Sequence, residues 1–253
     1  EPAGAAEDVV AVDALRRFLR DPAVVFVRHC LGMRLPEIAA TGDDRDLLVA
    51  PAYVLDKHAL QQAMLAGMLA NRDPDALQRE FSARAMLPAG ASGARILAEQ
   101  RKHLAPYVER QRQWCGDAVA NDLAIDLDLG GIRLQGRLAG VYPDGVLRVR
   151  VGKHNGPSQI RHGIDWLLAS TLGLPLADIH QDKERGVVLA VCAPLPPEQA
   201  RSALRGLLEI RLAGLRAPLP FAPYSSWEFY NASDPKRGMD AAARRWRGGG
   251  NGF

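Results

Sequence analysis

An α/β fold with a mixed central sheet, preceded by an amino-terminal helical layer, is predicted by three observations. Up to about residue 115 the apolar residues recur at the three-to-four spacing of helices. From residue 122 the period drops to two over three short runs, separated by Gly130-Gly131 and by Tyr142-Pro143-Asp144-Gly145. Helix, strand and helix patterns then alternate, which sets helices against a sheet.

The elements follow in order. Leu15, Phe18 and Leu19, then Val24, Val25 and Phe26, mark helical chain over 12–33, interrupted at Asp21-Pro22. Asp21 is suited to cap the second helix and Pro22 to occupy its first position. Polar residues over 36–51 predict a loop, and helices are expected over 52–71 and 74–86. Leu87-Pro-Ala-Gly-Ala-Ser-Gly93 breaks the chain before a long helix over 94–114, in which Pro106 predicts a kink. Residues 122–129 and 132–138 describe a hairpin, and 146–151 a third antiparallel strand. A helix over 158–172, a strand over 186–193 and a helix over 197–215 come next. A tail rich in proline and aromatic residues, 217–230, leads to a basic helix over 235–247 and frayed residues 248–253. Residues 1–118 are thus a helical part leading into an α/β core at 119–253, the two together forming one structural domain of a larger subunit.

Composition narrows the function only slightly. Of 253 residues 47% are hydrophobic and 24% charged, with a net charge of +3, which neither requires nor excludes a polyanionic partner. The opening residues, beginning at Glu1, lack the basic and apolar segments of a signal peptide. No apolar run approaches the roughly 20 residues needed to cross a bilayer. Cys30, Cys115 and Cys192 are widely spaced and include no CxxC pair, so a reducing, cytoplasmic setting is expected and neither a disulfide framework nor a zinc ribbon. Six histidines, at 29, 58, 103, 154, 162 and 180, show no metal-ligand spacing, and no phosphate-binding GxxxxGK[ST] loop or GxSxG elbow is present.

Three segments carry a resemblance. Phe18-Leu-Arg-Asp21-Pro22-Ala-Val-Val-Phe26 is similar to the F-x-x-N/D-P-x-x-x-F helix pair that opens the carboxy-terminal domain of the RecC family, the exodeoxyribonuclease V gamma subunits. Leu87-Pro-Ala-Gly90 resembles the family's loop before a long helix, and Pro218-Leu-Pro-Phe-Ala-Pro-Tyr-Ser-Ser-Trp227 resembles its late aromatic stretch. Each has a plainer reading: helix punctuation with core packing, an ordinary helix entry, and a covering or polyproline segment. Their occurrence together, in the family's order, identifies the chain as a RecC-like domain.

The resemblance implies a PD-(D/E)XK, restriction-endonuclease-like core. An active core of that kind sets an Asp on one strand and a (Asp/Glu)-x-Lys on the next, because Mg²⁺ takes carboxylate oxygens and the lysine orients the attacking water. Matched to G-x-I-D and L-D-Y-K, the stretches Gly136-Arg-Leu-Ala139 and Arg150-Val-Gly-Lys153 put Ala139 and Val151 where the carboxylates would stand, with Lys153 retained. Gln159-Ile160 does not reproduce the Gln-Tyr pair of active relatives. A non-catalytic domain is therefore expected, with no catalytic residue, metal or cofactor of its own. As the alternative, Asp122, Asp126 and Asp128 are candidate relocated metal ligands, although alternating acids on a strand are commonly a solvated edge.

Over residues 133–161 six basic side chains, Arg133, Arg137, Arg148, Arg150, Lys153 and Arg161, face a single acid, Asp144, and are the expected DNA contacts. Lys236, Arg237, Arg244, Arg245 and Arg247 form a second basic cluster. The resemblance implies a complex with RecB and RecD subunits, which use ATP and Mg²⁺, acting on duplex DNA ends in homologous recombination. A pure protein-docking module is the remaining reading.

Overall fold

The computed structural model describes residues 9–33 and 54–248. The loop expected over 36–51 and residues 249–253 lie outside the described residues. Strand β1 (Val9–Ala11) runs directly into helices α1 (Val12–Arg20) and α2 (Pro22–Cys30). The Asp21 side chain accepts from the Val24 amide at 3.1 Å and Pro22 opens α2, as the sequence predicts. Three helices follow: α3 (Val54–Leu69), α4 (Pro74–Ala83) and α5 (Gly90–Cys115), the last running through Pro106. Then come β2 (Asn121–Asp128), β3 (Arg133–Tyr142), β4 (Gly145–Val149), α6 (Gly156–Thr171), β5 (Leu176–Asp182), β6 (Gly186–Cys192), α7 (Pro197–Arg216), α8 (Pro223–Tyr230) and α9 (Pro235–Trp246).

The strands form one six-stranded mixed sheet. The antiparallel succession β2–β3–β4 matches the sequence prediction, though β4 stops at Val149. Strand β5, absent from that prediction, lies parallel to β4 and antiparallel to β6. β1, also unexpected, adds in parallel to β3 at Arg133–Gln135, whereas β4 pairs with β3 at Val141–Tyr142. The aromatic tail holds the helix α8 rather than an extended ligand-like segment.

Helices cover both faces. On one, Leu15, Phe18 and Leu19 of α1, Ile164 and Leu168 of α6 and Leu204 and Leu208 of α7 pack on Leu134, Leu138, Val146 and Leu176. On the other, Leu60 and Met64 of α3, Phe81 of α4 and Leu104 and Tyr107 of α5 pack on Leu147, Val151, Ala177 and Ile179. The expected amino-terminal layer is therefore divided between the two faces of the sheet. The sequence segments that carry the family resemblance occupy tight joints in this packing. A Cβ on Gly214 would stand 2.4 Å from Phe18 and 2.7 Å from Leu219, so the first and third segments meet over a glycine in α7. Leu87 of the second is buried below α3 and α5.

Candidate functional site

An open cleft of about 830 Å³ lies where α1, the end of β4, the start of α6 and α8 converge, with His58 and Gln62 of α3 at its margin. Because α1 buries Leu15, Phe18 and Leu19, its other face carries Asp13, Arg16, Arg17 and Arg20 into the cleft. Alternation along β4 and the residues just after it does the same for Arg148 and Arg150: Leu147, Val149 and Val151 turn toward the core beneath α3–α5, so the two arginines between them face the opposite side.

Arg148 is anchored at the notch between the two strands that share one edge of β3. Its Nη1 donates to the carbonyls of Ala139 at 2.7 Å and Leu147 at 3.1 Å, and its Nε donates to Asp165 Oδ2. Arg16 Nη2 donates to the other oxygen of Asp165 and Nη1 donates to Asp13 at 2.9 Å. Asp165, on α6, is fully buried. A carboxylate so placed requires paired charge, and the two guanidiniums supply it.

Arg150 is half-buried; its Nε donates to the Lys153 carbonyl at 2.7 Å. Burial lowers its pKa, opposed by Tyr224, Asp178 and Tyr107, so this guanidinium is incompletely hydrated. Among the described residues no carboxylate forms an ion pair with Arg17, Arg20, Arg150 or Arg161.

Behind Arg150 lies a histidine cluster about Asp178. His154 Nε2 stands 2.6 Å from Asp178 Oδ2 and His180 Nδ1 2.8 Å from the same oxygen, while His162 Nδ1 is 3.9 Å from Oδ1. Burial would raise the Asp178 pKa, but the hydrogen bond with His154 and the charges of all three imidazoles bring it below its ordinary value. Burial lowers the His162 pKa, against the attraction of Asp178. Asp178 is therefore ionised at neutral pH.

The sequence-predicted residues divide. Arg148, Arg150 and Arg161 line the cleft. Arg133 and Arg137 are exposed on β3 beside the buried Leu134 and Leu138, hence on the opposite face of the sheet, and Arg133 pairs with Asp126 at 2.8 Å. Lys153 is exposed and is not a cleft-lining residue. Val151, matched by sequence to the second carboxylate, is 9% exposed and packs into the α3–α5 core. Arg148, not Val151, is the side chain that contacts the Ala139 backbone. Asp122 and Asp126 are exposed on β2, and Asp128 accepts from the Gly130 and Gly131 amides at 3.0 and 3.2 Å, closing the hairpin turn. Among the described residues the group with metal-ligating proximity is instead His154, Asp178 and His180. Of the second basic cluster, Arg245 lies 4.9 Å over the ring of Tyr224, itself a cleft residue.

Arg16, Arg17 and Arg20 were missed because they precede the basic stretch by more than a hundred residues, although their spacing opposite Leu15, Phe18 and Leu19 marks them as one helix face. The histidine cluster was missed with β5. Asp178-Ile-His180 on a recognised strand would have shown two ligand-type side chains on one face.

Comparison with known proteins gives the cleft its context. A curated relative, "RecBCD enzyme subunit RecC" from Escherichia coli strain K12, is 26% identical over 227 residues, covering 86% of this chain. The chain spans 19% of that relative's length. A solved structure titled "Crystal structure of SSO0001" overlaps 69% of this chain and 92% of its own at 14% identity, with a TM-score of 0.32. That score is too low to inform the fold. The sequence profile of the RecC C-terminal domain matches residues 7–234, from β1 through α8 and the whole lining of the cleft, and the chain belongs to that family.

Proposed function

We propose that this domain is a non-catalytic, PD-(D/E)XK-like unit of a RecC subunit that holds the phosphate backbone of duplex DNA. In that reading it aids strand separation and docks RecB- and RecD-type subunits during double-strand break repair. The order β2–β3–β4, α6, β5, with β5 parallel to β4, supports the nuclease-like comparison. The observation that carries the binding role is the cleft itself: Arg17, Arg20, Arg150 and Arg161 converge there, and its buried acids Asp165 and Asp178 are taken up by other cations and imidazoles. Guanidiniums in that arrangement suit a phosphate backbone without reading its sequence.

The donor set beside Ala139 does not suit Mg²⁺. Its carbonyl already accepts from a guanidinium, and the neighbouring side chains directed into the cleft, Arg148 and Arg150, repel a divalent cation. Metal-assisted cleavage therefore has no place there.

Fluorescence anisotropy of a labelled duplex titrated with the 253-residue chain tests the reading. Binding should weaken with salt, and alanine at Arg17, Arg20, Arg150 and Arg161 should flatten the log–log salt slope by about 0.9 for each phosphate no longer neutralised. Alanine at Arg133 and Arg137 should leave it unchanged. Absence of binding at low salt, with a RecB-type subunit still captured, favours the docking module. Metal-dependent cleavage by the chain alone refutes the non-catalytic assignment.

A further inference from the structure

We propose that His154, Asp178 and His180 form a binding site for a first-row transition-metal ion of the zinc class. Such a site is additional to the DNA-binding role and does not depend on it.

Ser158 orients the first ligand. Its hydroxyl donates to the Asn155 carbonyl at 2.8 Å and accepts from the Asn155 amide, also at 2.8 Å, in the capping box that opens α6. With its proton committed, Ser158 Oγ can only accept from His154 Nδ1, 3.2 Å away. The other ring nitrogen, Nε2, is thereby directed at Asp178 Oδ2, 2.6 Å away. A metal ion taking the place of the proton in that hydrogen bond would be held by both atoms.

His180 brings a second imidazole nitrogen to the same oxygen. Its Nδ1 lies 2.8 Å from Oδ2, yet it is buried and makes no aligned hydrogen bond. The three ligand atoms lie within 4.8 Å of one another, and the side chains of Asp178 and His154 are only 5% and 9% exposed. Tetrahedral metal–ligand bonds of about 2.0–2.2 Å set neighbouring ligand atoms about 3.4 Å apart, so the two imidazole nitrogens need to draw back from Oδ2 by roughly 0.6–0.8 Å, a side-chain adjustment. Two imidazoles and one carboxylate are borderline donors that favour zinc-class ions over Mg²⁺ or Ca²⁺. The Ser158 hydroxyl orients the ligating ring from behind, as partners of metal-bound histidines do. Three protein ligands leave a coordination position open, and His154 and Asp178 both line the basic cleft. A bound ion would also tie the turn after β4 to β5.

The test is titration of Zn²⁺ into the metal-stripped 253-residue chain by calorimetry, without DNA, with Co²⁺ absorption as a spectroscopic readout. The expected result is one ion per chain, visible Co²⁺ bands of a nitrogen- and oxygen-ligated centre, and a higher thermal midpoint with Zn²⁺. Asp178→Asn and His180→Ala should each weaken binding at least tenfold, and the exposed His103→Ala should not change it. Ser158→Ala should weaken binding about tenfold while keeping its stoichiometry, the effect typical of a lost outer partner. Asp178→Asn preserves shape, so it remains informative if an alanine variant misfolds; circular dichroism reports folding for each. A folded chain that takes up no Zn²⁺ refutes the proposal and assigns the cation between His154 and Asp178 to a proton. Uptake that survives both Asp178→Asn and His180→Ala refutes it equally.

Discussion

Replacing Asp165 with alanine removes the carboxylate shared by Arg16 and Arg148 and leaves two guanidiniums facing each other. Removing one partner of a buried ion pair costs about 3–5 kcal/mol, because the charge left behind is neither paired nor hydrated. Here Asp165 is 0% exposed, but the side chains of Arg16 and Arg148 are 19% and 20% exposed and recover some water. The lower part of the range applies, about 3 kcal/mol, a large fraction of the roughly 5–15 kcal/mol that stabilises a domain. Arg148→Ala keeps the Arg16–Asp165 pair and orphans the Ala139 carbonyl, for about 2 kcal/mol. Because the two changes remove one shared interaction, the double variant should cost at least about 1 kcal/mol less than their sum. Urea titrations followed by tryptophan fluorescence, with unchanged slope, measure all three. A loss below about 1 kcal/mol for Asp165→Ala, or strict additivity, refutes a stabilising role for the pair.

Three other outcomes follow from the packing. A Cβ on Gly156 would meet the Pro223 carbonyl at 2.0 Å, so Gly156→Ala should displace α8 and cost about 1–3 kcal/mol, seen as a lower urea midpoint. Asp21→Ala removes the α2 cap and should cost about 1 kcal/mol in the same assay, with Asp21→Asn recovering most of it. Burial raises the thiol pKa of Cys115 and Cys192, whereas Cys30 is exposed; iodoacetamide at neutral pH should modify Cys30 first by peptide mapping, and simultaneous labelling of all three would contradict this.

The elements legible in the sequence are those whose pattern has one dominant cause. Asp21-Pro22 stops one helix and starts the next through local chemistry alone, and Gly130-Gly131 turns the hairpin with positive φ at both residues. β5 escaped because it is central: Leu176, Ala177, Asp178 and Ile179 are all buried, so no alternation shows, and an acid and a histidine interrupt the apolar run. β1 is three residues long and is held by its pairing with β3, which no local signal encodes. For the cleft, the charge count over residues 133–161 took in Arg148, Arg150 and Arg161, which line it. Arg133, Arg137 and Lys153 share the charge but not the direction, and charge counting cannot separate them. Val151, matched by sequence to a carboxylate position, packs beneath α3–α5, and the strand register that sets which face a side chain occupies is not written in the local sequence.

The anchoring of Arg148 has a consequence for how this domain can change over generations. A carboxylate gained at position 139 would arise where the backbone already lies 2.7 Å from a guanidinium, and would form an ion pair before it met a cation. Losing Arg148 first exposes Asp165 to the penalty of a half-paired buried charge. Single substitutions in either order are therefore opposed, one by a competing partner and the other by stability. The triad acts as a ratchet: once this guanidinium occupies the notch, descent through one-step variants favours keeping it, and the cleft is free to diversify only in its unpaired arginines.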